Sequence, residues 1–415
     1  MFVVAFIVSA ALVPSLPATC KSRTVYASTP RLSAPLLLTR LPEPLAPLVP
    51  TAAFVGIYEV LNGLLARAGV TFPTSIIGML GGFLVLCTLP RPIAERVESF
   101  FEPSCRLLRD WLAAIFSPGF TALPLTMPAV AARDLATFIL LLVAGFVATT
   151  ATNAGIALAL TPRSPVDLDD GGSDLATPDA GPPPPPPNPF PAAQQATLVT
   201  CTLLAAAVHL ILLRSDPVSL NLALLGAMLS SFSLASTLCS PAVKLWLHPF
   251  VSTSLCTLGA CAALGGASGL GWRGALTSFA GAGGAGHLIT KLTGPCVLSF
   301  SFQLYAYRAQ LRRRFVQIIG TAISGSLVGM ITSAAAARAA GVAPVLRLAL
   351  ISRNTLSALS MEICRMLGVH PPALGLLAAF VSGLLAFPFG KAVLDALGVT
   401  DPPARGLALA GTAHG

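Results

Sequence analysis

The sequence predicts an all-α polytopic membrane protein with about eleven hydrophobic segments, some of them interrupted or re-entrant in the second half. Three observations predict it. Of the 415 residues, 54% are hydrophobic and only 10% are charged, against about 25% charged in an ordinary soluble domain. Apolar runs near 20 residues, the length that crosses a bilayer as helix, recur along most of the chain. The polar residues are not spread evenly: LISRNTLSALSMEIC (350–364) sets Arg353, Asn354, Thr355, Ser357, Ser360 and Glu362 close together in an otherwise apolar part of the chain.

The chain opens with MFVVAFIVSAALVPSLPATC, an apolar run of signal-peptide length ending in small residues. The next twenty residues carry Lys21, Arg23, Arg31 and Arg40 among Ser and Thr, and the first acidic residue is Glu43. A basic, hydroxylated, acid-free stretch has the composition of a transit peptide. Residues 1–45 therefore read as a signal plus transit-like presequence addressing a plastid bounded by extra membranes. The competing reading is a secretory signal or a first transmembrane helix.

Residues 46–160 form a first membrane domain with candidate spans near 50–68, 72–90, 108–128 and 135–160. Pro118 and Pro124 break the third. Between the second and third, RPIAERVESFFEPSCRLLRD spaces Ile93, Val97, Phe100 and Phe101 for an amphipathic helix at the membrane surface. Residues 161–195 hold five aspartates and six consecutive prolines. That composition buries no core and predicts a solvated, partly polyproline II tether.

Residues 196–415 form a second membrane domain, with spans near 196–214, 218–238, 249–265, 275–305, 315–337, 343–368 and 372–398. The loop carrying Arg308, Arg312, Arg313 and Arg314 is the strongest basic cluster and anchors topology on the stromal or cytosolic side. The net charge of +9 thus belongs to loops, and no aromatic-interleaved basic patch supports a nucleic-acid partner. The nine cysteines form no CxxC pair and read as small buried hydrophobes, so no metal and no cofactor is expected.

Two second-half segments make poor continuous helices. In 274–307, Gly281, Gly283, Gly284 and Gly286 weaken the helix, and Gly294-Pro295 is expected to interrupt it again, with His287, Thr290 and Lys291 between the breaks. In 343–368, Pro344 precedes a run from Ser352 to Thr355 rich in groups that compete with helical hydrogen bonds. Non-helical backbone at membrane depth is tolerated where it lines a cavity or is buried in protein. Each break carries a cation, Lys291 and Arg353. Together they suit a small carboxylate, with Arg353 as a two-bond clamp, Lys291 as a point charge, and Thr290, Ser352, Asn354 and Thr355 as neutral donors. Glu362 could pair with a cation or carry a coupled proton. The alternative is that Lys291, Arg353 and Glu362 snorkel from helix ends and that the glycines serve close packing.

FPTSIIGMLGGFLVL, FSPGFTALPL and GFVATTATN in the first half resemble the LrgA (CidA) family. HPFVSTSL, GPCVLSFSFQLYAYRAQLRRR, LISRNTLSALSMEI and DPPARGLALAGTAHG, in that order, resemble the LrgB (CidB) family. Such a fusion behind a plastid presequence implies a multi-pass carrier of the plastid inner envelope that exports glycolate and returns glycerate in photorespiration, with a homo-oligomer as one possible state. The bacterial relatives imply the alternative, a holin-like pore or regulator of murein hydrolase export. The resemblance carries no binding-residue assignments. It also leads one to expect a further hydrophobic region after the HG motif that ends this sequence at Gly415, so the C-terminus is expected to be truncated. Motifs for hydrolase, protease or phosphate-cradling chemistry are absent, and an enzyme is not expected.

Overall fold

The computed structural model describes residues 47–126, 132–161, 190–355, 357–370 and 372–413. The presequence, most of the Asp/Pro-rich tether, and His414 with the end of the HG motif lie outside the described residues. Those described are helical, with turns and short links and no strand. Seven helices are long and apolar enough to cross a membrane, and two shorter apolar helices accompany them. The protein is a multi-pass all-α membrane protein.

The chain divides into two compact units. The first comprises residues 1–126 and 190–308, and the second residues 127–189 and 309–415. The division differs from the one drawn at the tether, because helix 132–159 from the first half packs within the second unit.

The first unit begins with α1 (Leu48–Arg67), α2 (Thr74–Thr88) and α3 (Arg91–Asp110). The amphipathic pattern of α3 is realised as a helix. Its Phe101 ring packs 4.5 Å from Phe54 and 5.2 Å from Phe302, while Glu95, Arg96, Glu102 and Arg106 are exposed. The third apolar segment is split into α4 (Leu112–Thr121) and α5 (Leu123–Thr126), with the break at Ala122. Pro118 sits inside α4 and does not end it. The carbonyl of Ala114, which Pro118 cannot serve, instead accepts a bond from Ser117 Oγ at 2.9 Å.

Next come α7 (Ala192–Ile211), α8 (Pro217–Leu238), α9 (Pro241–Trp246) and α10 (Pro249–Ala267). The number α6 belongs to the second unit's Ala132–Ala159, which precedes them in the chain. Asp216 caps α8, accepting the Ser219 amide at 2.7 Å. The expected interrupted segment is three helices: α11 (Gly271–Ala280), α12 (Ala285–Thr290) and α13 (Thr293–Ala306). Gly283, at φ +82°, makes the first turn possible. Asn221 on α8 fastens that turn, donating to Ser278 Oγ and accepting from the Ala285 amide, both at 2.9 Å.

The second interruption is not where the sequence suggested. It falls at Lys291 and Leu292, whereas Gly294 and Pro295 lie in the first turn of α13. A proline there loses no helical bond, because the first turn's N–H groups lack intrahelical partners anyway. Gly294 serves packing instead, since a Cβ on it would collide with the Tyr58 ring of α1.

The second unit contains α6, α15 (Phe315–Ala339), α16 (Pro344–Ile351), a 3₁₀ turn (Ser352–Asn354), α17 (Ser357–Met366), α18 (Ala373–Ala396) and α19 (Pro402–Ala413). The short α14 (Arg308–Arg313) links the units along the chain. Helix α6 packs against α15, α18 and α19. Two apolar clusters hold the unit, one around Phe138, Leu142, Leu350 and Leu374, the other around Ala154, Ala157, Leu394 and Ala404. The interruption expected in 343–368 is present, as the 3₁₀ turn between α16 and α17.

Candidate functional site: a buried guanidinium at the helix interruption

Arg353 occupies the middle of the 3₁₀ turn and is only 1% exposed, the largest fully buried side chain among those described. Its Nε donates to Ser333 Oγ of α15 at 2.7 Å. Its Nη2 donates to the Gly145 carbonyl of α6 at 3.0 Å and to Thr149 Oγ1, one turn further along α6. Both hydroxyls pass their own protons to helix carbonyls, Thr149 to Gly145 and Ser333 to Gly329, which leaves their lone pairs for the guanidinium. Every one of these acceptors is a neutral oxygen. A buried cation held only by neutral oxygens is costly to desolvate and gains by meeting an anion.

The unused part of the guanidinium is Nη1, which has no hydrogen-bond partner. A cavity of about 150 Å³ adjoins Arg353 and is lined also by Leu141, Gly145, Ala148, Ser333 and Leu350. Gly145 permits the approach, for a Cβ there would lie 2.8 Å from Arg353 Cζ. With Nε and Nη2 engaged, the expected two-nitrogen clamp is reduced to donation from Nη1.

The neighbours expected to help fall into two groups. Asn354 has both amide atoms buried without a partner, so its Nδ2 is free to donate. Ser352 is committed to structure: its hydroxyl bonds the Ala349 carbonyl at 2.9 Å and Ser360 Oγ at 2.8 Å, packed over Gly375. Thr355 likewise returns its hydroxyl to the Ser352 carbonyl at 2.7 Å. Glu362 lies in α17, and its side chain is outside what is described.

Lys291, Thr290 and His287 belong to the first unit and Arg353 to the second. Lys291 caps α12 and is exposed, as is Thr290, whose hydroxyl bonds the Gly286 carbonyl at 2.8 Å, and His287 is half-buried. Among the described residues, no cluster of three or more His, Cys, Asp or Glu could hold a metal ion.

Sequence reasoning did not single out Gly145, Thr149, Asn153, Thr321 or Ser333 as site residues. A signal was present in α15, where Gln317, Thr321, Gly325, Gly329 and Ser333 recur every fourth residue and all are buried.

Residues 228–415 match the LrgB-like family. The LrgB-like region thus contains α15, the 3₁₀ turn and α17 to α19, but not α6. Over 365 residues the chain is 25% identical to the plastidal glycolate/glycerate translocator 1 of Arabidopsis thaliana, covering 86% of this chain and 69% of that protein. It is 28% identical over 130 residues to the uncharacterized protein YwbG of Bacillus subtilis and 24% identical over 129 residues to an antiholin-like protein LrgB of Bacillus cereus. Those two matches take in 31% of this chain and 57% and 56% of the bacterial proteins, so the chain spans little more than half their length. No solved structure matches the chain at comparable significance.

Proposed function

We propose that the protein is a secondary transporter of small hydroxycarboxylates, exchanging glycolate and glycerate across the plastid inner envelope. The observation that carries the reading is Arg353, a buried guanidinium with neutral partners and an unpaired Nη1, whose side chain adjoins a small cavity. A carboxylate on Nη1 supplies the missing negative charge, and the Asn354 amide is placed next to Arg353 in the chain to take a further oxygen. Likeness to the Arabidopsis translocator across most of the chain supports the substrate class and the plastid location. In this reading Lys291, Thr290 and His287 form a second polar patch that meets the substrate at another stage, and Glu362 is the group that pairs with a cation or carries a proton.

The test is uptake of labelled glycerate into proteoliposomes, with and without trapped glycolate. Saturable uptake stimulated by internal glycolate is expected. Arg353→Ala should lower it by a factor of roughly 10² or more, as removal of a buried charged partner costs about 2–5 kcal/mol, while insertion into the membrane is unchanged. Unchanged uptake in that variant would dismiss the Arg353 site.

A second reading has its own support in the antiholin-like relatives. A pore or regulator of that kind would give solute leakage that neither saturates nor prefers hydroxycarboxylates.

A further inference from the structure

Helix α15 has two unlike faces. Val316, Ile323, Leu327 and Ile331 are exposed apolar residues, suited to lipid. The opposite face buries Gln317, Thr321, Gly325, Gly329 and Ser333. At 1.5 Å per residue this face runs about 24 Å, most of the roughly 30 Å hydrocarbon thickness.

A face built only for close packing against α6 would need small residues and nothing more. This one meets a polar group at nearly every turn. Ser333 receives Arg353. Gly329 lies under the Asn354 amide, and Gly325 under the Asn153 amide of α6; a Cβ on either glycine would collide with that amide. Thr321 follows, and Gln317 ends the row with bonds to the Ala157 carbonyl and Thr161 Oγ1, both at 3.0 Å. Asn153 is fully buried, with Nδ2 bonded to Thr412 Oγ1 at 3.2 Å and Oδ1 without a partner. Thr321 Oγ1 is buried and also without one. Together with Arg353 Nη1 and both atoms of the Asn354 amide, the seam carries unsatisfied polar atoms on four side chains. A buried polar atom that nothing pairs with is costly, so four such side chains along one line are better explained by a polar guest than by packing.

We infer that the α6–α15 seam is the path of translocation, and that Asn153 Oδ1 with Thr321 Oγ1 forms a second station on it, which accepts the hydroxyl of a small hydroxy acid. Successive positions on this face are about 6 Å apart, the length of a two- or three-carbon acid, so a substrate passes from Arg353 by way of Asn354 to Asn153 without losing polar contact. Gly325 and Gly329 leave room on this face for the two amides. The guest's identity rests on the function proposed above; the seam itself rests on the polar atoms.

The test uses the full chain, with its exposed native cysteines replaced by serine and one cysteine introduced at Thr321 (T321C) or at the lipid-facing Ile323 (I323C). After reconstitution, each is reacted with a small water-soluble methanethiosulfonate, alone and with glycerate, succinate or inorganic phosphate. We expect T321C to react at least tenfold faster than I323C and glycerate to slow it severalfold. N153C serves as a second reporter if T321C does not fold. Equal rates at both positions, or fast labelling that none of the three solutes slows, would overturn the path. Protection by succinate or phosphate but not glycerate would leave the path standing and count against the glycolate/glycerate reading.

Discussion

Arg353 is held from three directions by groups that are themselves fixed to helices. Gly145 O, Thr149 Oγ1 and Ser333 Oγ leave the guanidinium one orientation. A lysine keeps the charge, but its three donors share one nitrogen and cannot span acceptors that the guanidinium reaches from Nε and Nη2. Arg353→Lys should therefore retain folding and lose at least tenfold in glycerate uptake, a smaller loss than Arg353→Ala. The approach of Gly145 gives a second expectation. The added methyl of Gly145→Ala must displace a guanidinium 2.8 Å away, so apparent KM for glycerate should rise severalfold while protein yield in membranes is near normal.

Asp216 offers a pH dependence at the residue scale. Bonding from the Ser219 backbone amide holds its carboxyl below the ordinary value of 3.8. A carboxyl depressed in the folded state stabilises above its unfolded pKa and loses that contribution as pH falls through the folded one. Asp216→Ala should thus lower the melting temperature in detergent near neutral pH, and the gap from the parent should narrow as pH drops below about 4.

At the scale of elements, the two interruptions in the LrgB-like region are built differently. The turn between α11 and α12 depends on Gly283 in the left-handed region and on Asn221, whose amide bonds the Pro217 carbonyl, Ser278 Oγ and the Ala285 amide. Asn221→Ala should destabilise by about 1–3 kcal/mol, since it leaves the amide of buried Ala285 and the half-buried Ser278 hydroxyl without their partner; thermal unfolding in detergent would measure it. The 3₁₀ turn between α16 and α17 contains no glycine. It forms because Ser352 and Thr355 return their hydroxyls to carbonyls at 349 and 352, competing with the helical pattern. That competition is local, so the sequence could announce it.

At the scale of the whole molecule, helix α6 belongs with α15 to α19 although it precedes the Asp/Pro-rich tether. It supplies two of the three anchors of Arg353. A chain of residues 190–415 alone keeps the guanidinium and Ser333 but lacks Gly145 and Thr149. Expressed by itself it should insert yet give no saturable glycerate uptake, and co-expression with residues 1–161 should restore it. Uptake by residues 190–415 alone would show that the α6 anchors are dispensable.

Hydrophobic run length and polar clustering are properties of the chain, so the sequence by itself determined the all-α membrane class, the position of most helices, the amphipathic α3 and both interrupted segments. Proline and glycine positions were legible less fully. Pro118 is accommodated because Ser117 serves the carbonyl it abandons, and Pro295 falls in a first turn where no bond is lost. Arg353 and Asn354 could be singled out because a charge and an amide in an apolar stretch need partners. Who those partners are was decided only by tertiary structure. Thr149 lies 204 residues from Arg353 and Ser333 lies 20 away, and no local pattern encodes which helix faces which. Lys291 and Arg353 were legible as the cations of the two helix breaks; the three anchors of Arg353 were not, because burial and partnership are set by helix contacts and not by the residue types a segment contains.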